Sequence, residues 1–169
     1  MILSNYNEAL QIITDALKEN KKLTIGIDGR SASGKTTFAA FLQSNLPCNV
    51  FHADDFFLRP SQRTAERLDT PGGNFDIERF NEEVVSGILS GEDFIFTPFD
   101  CKKMELSEPV KISKSNINII EGSYSCHPHI KISYDITFFL TISPEKQKER
   151  IISRNKERAE AWREQMLIF

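Results

Sequence analysis

Apolar residues recur along this chain with two different periods, and the alternation between them predicts the fold. Over residues 4–20, Tyr6, Leu10, Ile13 and Leu17 fall at helical spacing, with Ser4 placed to cap the helix. Residues 22–27 (Lys-Leu-Thr-Ile-Gly-Ile) read as a short β strand, residues 35–45 as a helix ending before Pro47, and residues 48–52 as a second strand. Residues 59–74 hold Pro60, Pro71, the Gly72-Gly73 pair and several charges, so they read mostly as loop. A helix is predicted over 77–89, capped by Asp76, with Phe80, Val84 and Ile88 on one face. Residues 93–112 form a β excursion broken by Pro98. Residues 117–120 are a third, buried strand and 135–142 a fourth, after which Ser143 and Pro144 open a last helix as cap and first residue. Strands alternating with helices predict an α/β fold, a parallel sheet flanked by helices with the β excursion set apart from it.

Length adds that one core suffices, so residues 1–169 read as a single domain. The chain is 40% apolar and 27% charged, an ordinary globular balance. Thirteen Phe against three Tyr and one Trp point to a Phe-rich core. A net charge of −3 gives no basic footprint and argues against nucleic acid as a partner. No apolar run approaches the roughly 18 residues of a membrane span, and Met1 to Leu10 lack the pattern of a secretory signal. Cys48, Cys101 and Cys126 have no metal-ligand spacing and read as reduced thiols of a cytoplasmic protein.

The chemistry concentrates in four places. Gly29-Arg30-Ser31-Ala32-Ser33-Gly34-Lys35-Thr36 matches G-x-x-x-x-G-K-[ST], preceded by an apolar strand and followed by a helical pattern. Such a loop turns its backbone N–H groups toward phosphate oxygens, and glycine allows the close approach. Lys35 would reach the β and γ phosphates, Thr36 would present its hydroxyl to Mg²⁺, and the helix would aim its positive end at the phosphates. The nucleotide, ATP with Mg²⁺, is expected along Gly29 to Thr37. The alternative for this stretch is a coincidental glycine-rich turn.

His52-Ala53-Asp54-Asp55-Phe56-Phe57 follows the second strand, at the sheet end where ligands bind in open α/β folds. One carboxylate can take a proton from a substrate hydroxyl and one can assist the metal; the competing reading is an Asx turn or helix cap. Ile117-Asn118-Ile119-Ile120-Glu121-Gly122 is a buried strand ending in an acid, which puts Glu121 near Mg²⁺ unless it merely begins a loop. Arg150 and Arg154 lie one helical turn apart and can clamp a transferring phosphoryl group; otherwise they are part of a solvated face with Lys146, Lys148, Glu149 and Lys156.

These parts, in this order, resemble the uridine kinase and phosphoribulokinase family of P-loop small-molecule kinases over roughly residues 22–155. The family's G-x-S-x-S-G-K-[ST] loop is matched at Gly29 to Thr36, and its Asp-(Asp or Ser)-Phe-(Tyr or Phe) motif at Asp54-Asp55-Phe56-Phe57. Its Asn-Phe-Asp segment is matched at Asn74-Phe75-Asp76, and its Glu-Gly at Glu121-Gly122. The resemblance implies a P-loop NTPase-type fold and transfer of the γ-phosphate of ATP to a hydroxyl of a small molecule, most readily a nucleoside such as uridine. It implies Asp54 as the base, Lys35, Arg150 and Arg154 as phosphate clamps, and Thr36, Asp54 and Glu121 as the Mg²⁺ set. The lid would span about residues 150–163. Asp55, Phe57, Asn74, Phe75, Asp76 and Phe99 would form the acceptor side, with Phe75 and Phe99 stacking on a planar ring and Asp76 binding vicinal hydroxyls; the alternative is that Phe75 and Phe99 are core residues and Asp76 only caps the helix at 77–89. Phe99 stands where the family usually has Tyr, and Cys101 to Glu108 lack the His that uridine kinases direct at the base. Gln62-Arg63-Thr64 and Pro71-Gly72-Gly73 also differ from the best-known uridine kinases, so the reaction class carries over better than uridine does. Members usually continue past the position of Trp162 with another helix or strand, so the chain reads as shorter than the family pattern.

Two other classes fit less well. A P-loop GTPase would need D-x-x-G after an apolar strand, yet Asp69-Thr70-Pro71-Gly72 follows none. It would also need N-K-x-D, yet Asn155-Lys156-Glu157-Arg158 ends in an Arg that cannot accept guanine's protons. A protein that only binds nucleotide would not be expected to keep Lys35, Thr36, Asp54 and Glu121 together. Non-nucleoside acceptors such as pantothenate, glycerate or a sugar phosphate remain the alternative within the kinase reading.

Overall fold

The computed structural model describes residues 5–166, with side chains described through Lys156. Four parallel strands form the central sheet in the order β2-β7-β1-β8: β1 Leu23–Gly29, β2 Asn49–His52, β7 Ile117–Glu121 and β8 Ile136–Leu140. β7 is buried along its whole length, as expected of a strand covered on both faces. Its alternation divides the core in two. Ile117 and Ile119 join Leu23, Ile25, Ile27, Phe38 and Leu42 on one face. Ile120 points the other way and packs with Phe51, Phe56, Phe75, Phe80 and Phe96.

The first face is covered by α1 (Tyr6–Glu19) and α2 (Lys35–Asn45). α1 buries Ala9 and Ile13, and its cap is Asn5, whose side chain accepts from the N–H groups of Asn7 and Glu8. Ser4, the cap expected from sequence, lies outside the described residues. The second face holds the phenylalanines, which meet edge-on or stacked, as in Phe56 with Phe80 at 5.0 Å and Phe56 with Phe96 at 5.6 Å. This is the Phe-rich core that composition suggested.

Three details differ from the expected elements. The stretch 59–74 is not all loop: it contains a 3₁₀ turn at Pro60–Gln62 and α3 at Ala65–Leu68, capped by Thr64. The helix expected over 77–89 runs as α4 (Ile77–Phe80), a π turn (Asn81–Val85) and α5 (Ser86–Ser90), because one extra residue is accommodated mid-helix. The β excursion is two nested antiparallel ribbons. β3 (Phe94–Phe96) pairs with β6 (Val110–Ile112), and β4 (Phe99–Asp100) pairs with β5 (Glu105–Leu106). Pro98 falls at the break, where it cannot donate to a ladder. α6 (Pro144–Met166) begins as expected, with Ser143 Oγ accepting from the Lys146 N–H.

Candidate active site

β1 ends at Gly29, and α2 begins at Lys35 after a left-handed Gly34 at φ 104°. Gly29 has φ 143°, and a Cβ there would lie 2.1 Å from the Leu140 carbonyl oxygen, so only glycine lets the loop leave beside β8. The first turn of α2 opens on a cleft of about 960 Å³, lined by Gly34, Lys35, Thr36 and Thr37 together with Ser31 and Ala32. The leading N–H groups of a helix have no intrahelical partner and carry its positive end, so this wall is built for an anion.

Lys35 is buried against the loop. Its Nζ donates to the carbonyls of Gly29 and Arg30, each at 3.0 Å, and to Ser123 Oγ at 3.2 Å. Burial pushes its ammonium down from the ordinary lysine range, against the opposing pull of Glu121, Asp28 and Asp54. Phosphate oxygens are stronger acceptors than these carbonyls and can take their place on the ammonium.

Parallel pairing of β2 with β7 sets His52 beside Glu121 at the sheet's ligand end. One carboxylate oxygen of Glu121 accepts from Thr36 Oγ1 at 3.1 Å and lies 2.6 Å from His52 Nδ1, a contact that raises the His52 pKa. Thr36, Glu121 and the nearby Asp54 offer hard oxygen donors, the kind Mg²⁺ prefers. Among the described residues no group of three or more His, Cys, Asp or Glu side chains could hold a metal ion. A Mg²⁺ that keeps waters and phosphate oxygens as most of its ligands needs no such cage, so the donor set fits that ion.

The two aspartates after β2 separate. Ala53–Phe56 is a 3₁₀ turn that leaves Asp54 exposed on the cleft wall and Asp55 half-buried off it. Burial raises the Asp55 pKa. Of the two carboxylates, only Asp54 is on the cleft wall.

Across the cleft, the chain near Asp54 is zipped to the Asn74 segment. Leu58 N–H donates to Asn74 C=O at 3.0 Å, Asp76 N–H donates to Phe56 C=O at 2.7 Å, and Phe57 and Phe75 form an antiparallel bridge. Phe57, Asn74 and Phe75 line the cleft, and Asn74 Oδ1 is buried with no hydrogen-bond partner among the described residues. Asp76 and Phe99 do not line it. Asp76 is 1% exposed; its carboxylate caps α4 through the Arg79 N–H and accepts from Gln62 Nε2. Phe99 is buried on β4. In this geometry the expected stacking by Phe99 and sugar contact by Asp76 are replaced by core packing and helix capping, because both side chains are consumed by their own elements.

Arg150 and Arg154 share a helix face that lines the cleft. Arg150 Nη1 donates to Ala32 C=O at 3.1 Å, and one turn earlier Gln147 Nε2 donates to Ser31 C=O at 3.0 Å. α6 is thus joined to the phosphate loop. The side chains of the expected lid beyond Lys156 lie outside the described residues. Of the expected nucleotide-binding loop, Gly29, Arg30 and Ser33 are not among the residues that line the cleft.

Sequence reasoning missed Asp28, whose carboxylate accepts from the N–H groups of Gly29 (2.6 Å), Tyr124 (3.2 Å) and Cys126 (3.0 Å). A charged residue closing an otherwise apolar strand directly before Gly29 was the available signal. Tyr6, Cys101, Ser123 and Tyr124, which unlike Asp28 line the cleft wall, carried none.

This arrangement is that of a P-loop nucleotide-binding fold. The chain is 31% identical over 142 residues to human nicotinamide riboside kinase 2, an alignment covering 79% of this chain and 58% of that protein's length. Two solved structures share its fold. One is described as a possible uridine kinase from Bacillus stearothermophilus (TM-score 0.66, 21% identity, 83% of this chain and 84% of the other). The other is a candidate fructose transport system kinase from Silicibacter sp. TM1040 (TM-score 0.71, 19% identity, 93% and 84%). No protein-family model matches the chain. The chain is thus similar in sequence to a nicotinamide riboside kinase, of which it spans 58%, and it shares its fold with two structures described as kinases. Among the described residues no helix is long and apolar enough to cross a membrane.

Proposed function

We propose that the protein is an ATP-dependent phosphotransferase that moves the γ-phosphate to a hydroxyl of a small molecule, with a ribosyl nucleoside as the favoured acceptor. The observation that carries this reading is the convergence of Lys35, Thr36, Glu121 and Asp54 on one cleft of about 960 Å³. That volume stands at the upper end of small-molecule sites, as room for a nucleotide and a small acceptor requires.

The first turn of α2 and the Lys35 ammonium bind and orient the phosphates. Thr36, Glu121 and Asp54 would hold Mg²⁺, which supplies neutralisation of the charge on the phosphoryl oxygens. Asp54 accepts the proton of the attacking hydroxyl, and Arg150 and Arg154 close over the transferring group, where their charge counts most and water is least welcome. On the acceptor side, the unpartnered Asn74 Oδ1 suits a hydroxyl donor, and Phe57 and Phe75 give an apolar flank for a ring. The nucleoside named for the human relative agrees with that wall, though the chain spans only 58% of that relative. The three free thiols agree with a cytoplasmic setting.

The test is a product assay with ATP, Mg²⁺ and, separately, nicotinamide riboside, uridine, fructose and pantothenate. A phosphorylated ribosyl product formed in step with ADP is the expected result. Fructose or pantothenate as the preferred acceptor would move the site to the non-nucleoside reading. Nucleotide binding without transfer to any acceptor would leave a binding protein.

A further inference from the structure

Arg79 stands in the third position of α4, where it is spaced to meet its cap Asp76 and also Glu83 one turn on. It is 7% exposed. Nη1 donates to the Thr97 carbonyl, and Nη2 donates to the Asp55 carbonyl at 3.2 Å. Nε lies 3.5 Å from Asp76 Oδ2, and Nη1 lies 3.5 Å from Glu83 Oε2. The guanidinium carbon sits 4.3 Å from the centre of the Phe56 ring. Glu83 closes the circuit by accepting the Thr97 N–H at 2.7 Å.

Ion pairing alone does not account for a charge in this position, because well-packed apolar side chains usually serve stability as well as a buried ion pair does. What an apolar side chain cannot do is donate to two backbone carbonyls from separate segments while stacking on a ring between them. The planar fork of arginine does this; a lysine ammonium can also donate to more than one carbonyl, but from a single point and with no flat face to lay on the ring. The two carbonyls belong to the turn that presents Asp54 and to the strand break just before Phe99.

We propose that Arg79 is a positioning residue: its guanidinium fixes the Asp54 turn and locks it to the β excursion. This rests on Asp54 being the proton acceptor. Misplacing a catalytic group by about 1 Å can cost about 100-fold in rate.

The test compares Arg79→Met and Arg79→Lys in the full chain, alone and combined with Asp54→Asn, using ATP with nicotinamide riboside and with uridine. Arg79→Lys is expected to stay folded with a moderately lower melting temperature and ATP affinity near that of the parent, while kcat, measured well below that melting temperature, falls about 10- to 100-fold. Amide hydrogen exchange should speed up over 53–58 and 97–100 but not over α2. In the Asp54→Asn background, Arg79→Met should change kcat by less than about twofold, because an effect that runs through Asp54 has nothing left to act on. Full kcat in Arg79→Lys, or losses that multiply in the double variant, would overturn the proposal. If Asp54→Asn alone keeps parental kcat, it is the base assignment that fails, and the positioning role falls with it. If Arg79→Met does not fold, Arg79→Lys decides. If the parent phosphorylates neither acceptor, it is the proposed function that fails, and the positioning role falls with it.

Discussion

Replacing Asp28 by Asn should loosen the phosphate loop's support at a cost that the structure lets one work out. The Asp28 carboxylate spends Oδ1 on the Gly29 and Tyr124 N–H groups and Oδ2 on the Cys126 N–H. Asn keeps the shape and one acceptor oxygen. If that oxygen stays with Gly29 and Tyr124, the amide NH₂ faces the Cys126 N–H, donor against donor. Losing one charge-assisted hydrogen bond costs about 1.5–3 kcal/mol, and Asp28 is partly exposed, so the lower part of that range applies. The Cys126 N–H is then left without a protein acceptor at about 1 kcal/mol more, for a total of about 2.5–3 kcal/mol. For a domain of this size that is a fall in Tm of roughly 5–12 °C. Calorimetry of Asp28→Asn beside the parent measures it directly. ATP affinity should fall as well, because Gly29 and the loop after β7 are tied through this one carboxylate. A Tm within a degree of the parent would refute the claim that Asp28 fastens the two loops together.

Two further outcomes follow from surface groups. Arg67 grips Glu78 with both nitrogens, at 2.8 and 2.7 Å, and holds its carboxyl down to about 2. A depressed carboxyl stabilises the fold above its ordinary pKa and stops doing so as pH falls through the depressed value. Glu78→Gln should therefore melt about 1–3 °C below the parent at pH 6 and level with it at pH 2; a gap that persists at pH 2 would contradict the pairing. Iodoacetamide should label the exposed Cys101 well before Cys48, whose thiol burial pushes up to about 11, and ATP should slow the labelling because Cys101 lines the cleft. Equal labelling rates, or no protection, would contradict the cleft's boundaries.

The parts of the fold that a local pattern dictates were legible in the sequence. β1 and α2 flank the phosphate loop as expected because apolar periodicity, Gly29 and Gly34 all point the same way. Glu121 was legible as an acid closing a buried strand, with a loop start as the alternative, and its carboxylate accepts from Thr36 Oγ1. Illegible features depended on partners distant in sequence. Asp76 reads as a sugar ligand or as a cap from sequence, and only the packing of Gln62 and Arg79 around it decides for the cap. Asp54 and Asp55 are equivalent in composition and differ only in how the 3₁₀ turn rotates them. Phe75 and Phe99 are both buried, yet only Phe75 reaches the cleft wall, because β4 turns Phe99 into the interior. The nested ribbons of the β excursion require pairing between 94–96 and 110–112, a register that strands this short do not announce.

Asp54 is the residue on which the proposed transfer depends most directly. Phosphate transfer from ATP to nicotinamide riboside should be measured for the parent, Asp54→Asn and Asp55→Asn, following ADP and phosphorylated product together. The parent should form both in equal amounts. Asp54→Asn should lose roughly 10²–10⁴ in kcat with little change in ATP affinity, as removal of a general base does, while Asp55→Asn loses far less. ADP formed without phosphorylated product, or a crippled Asp55→Asn beside an active Asp54→Asn, would contradict the account.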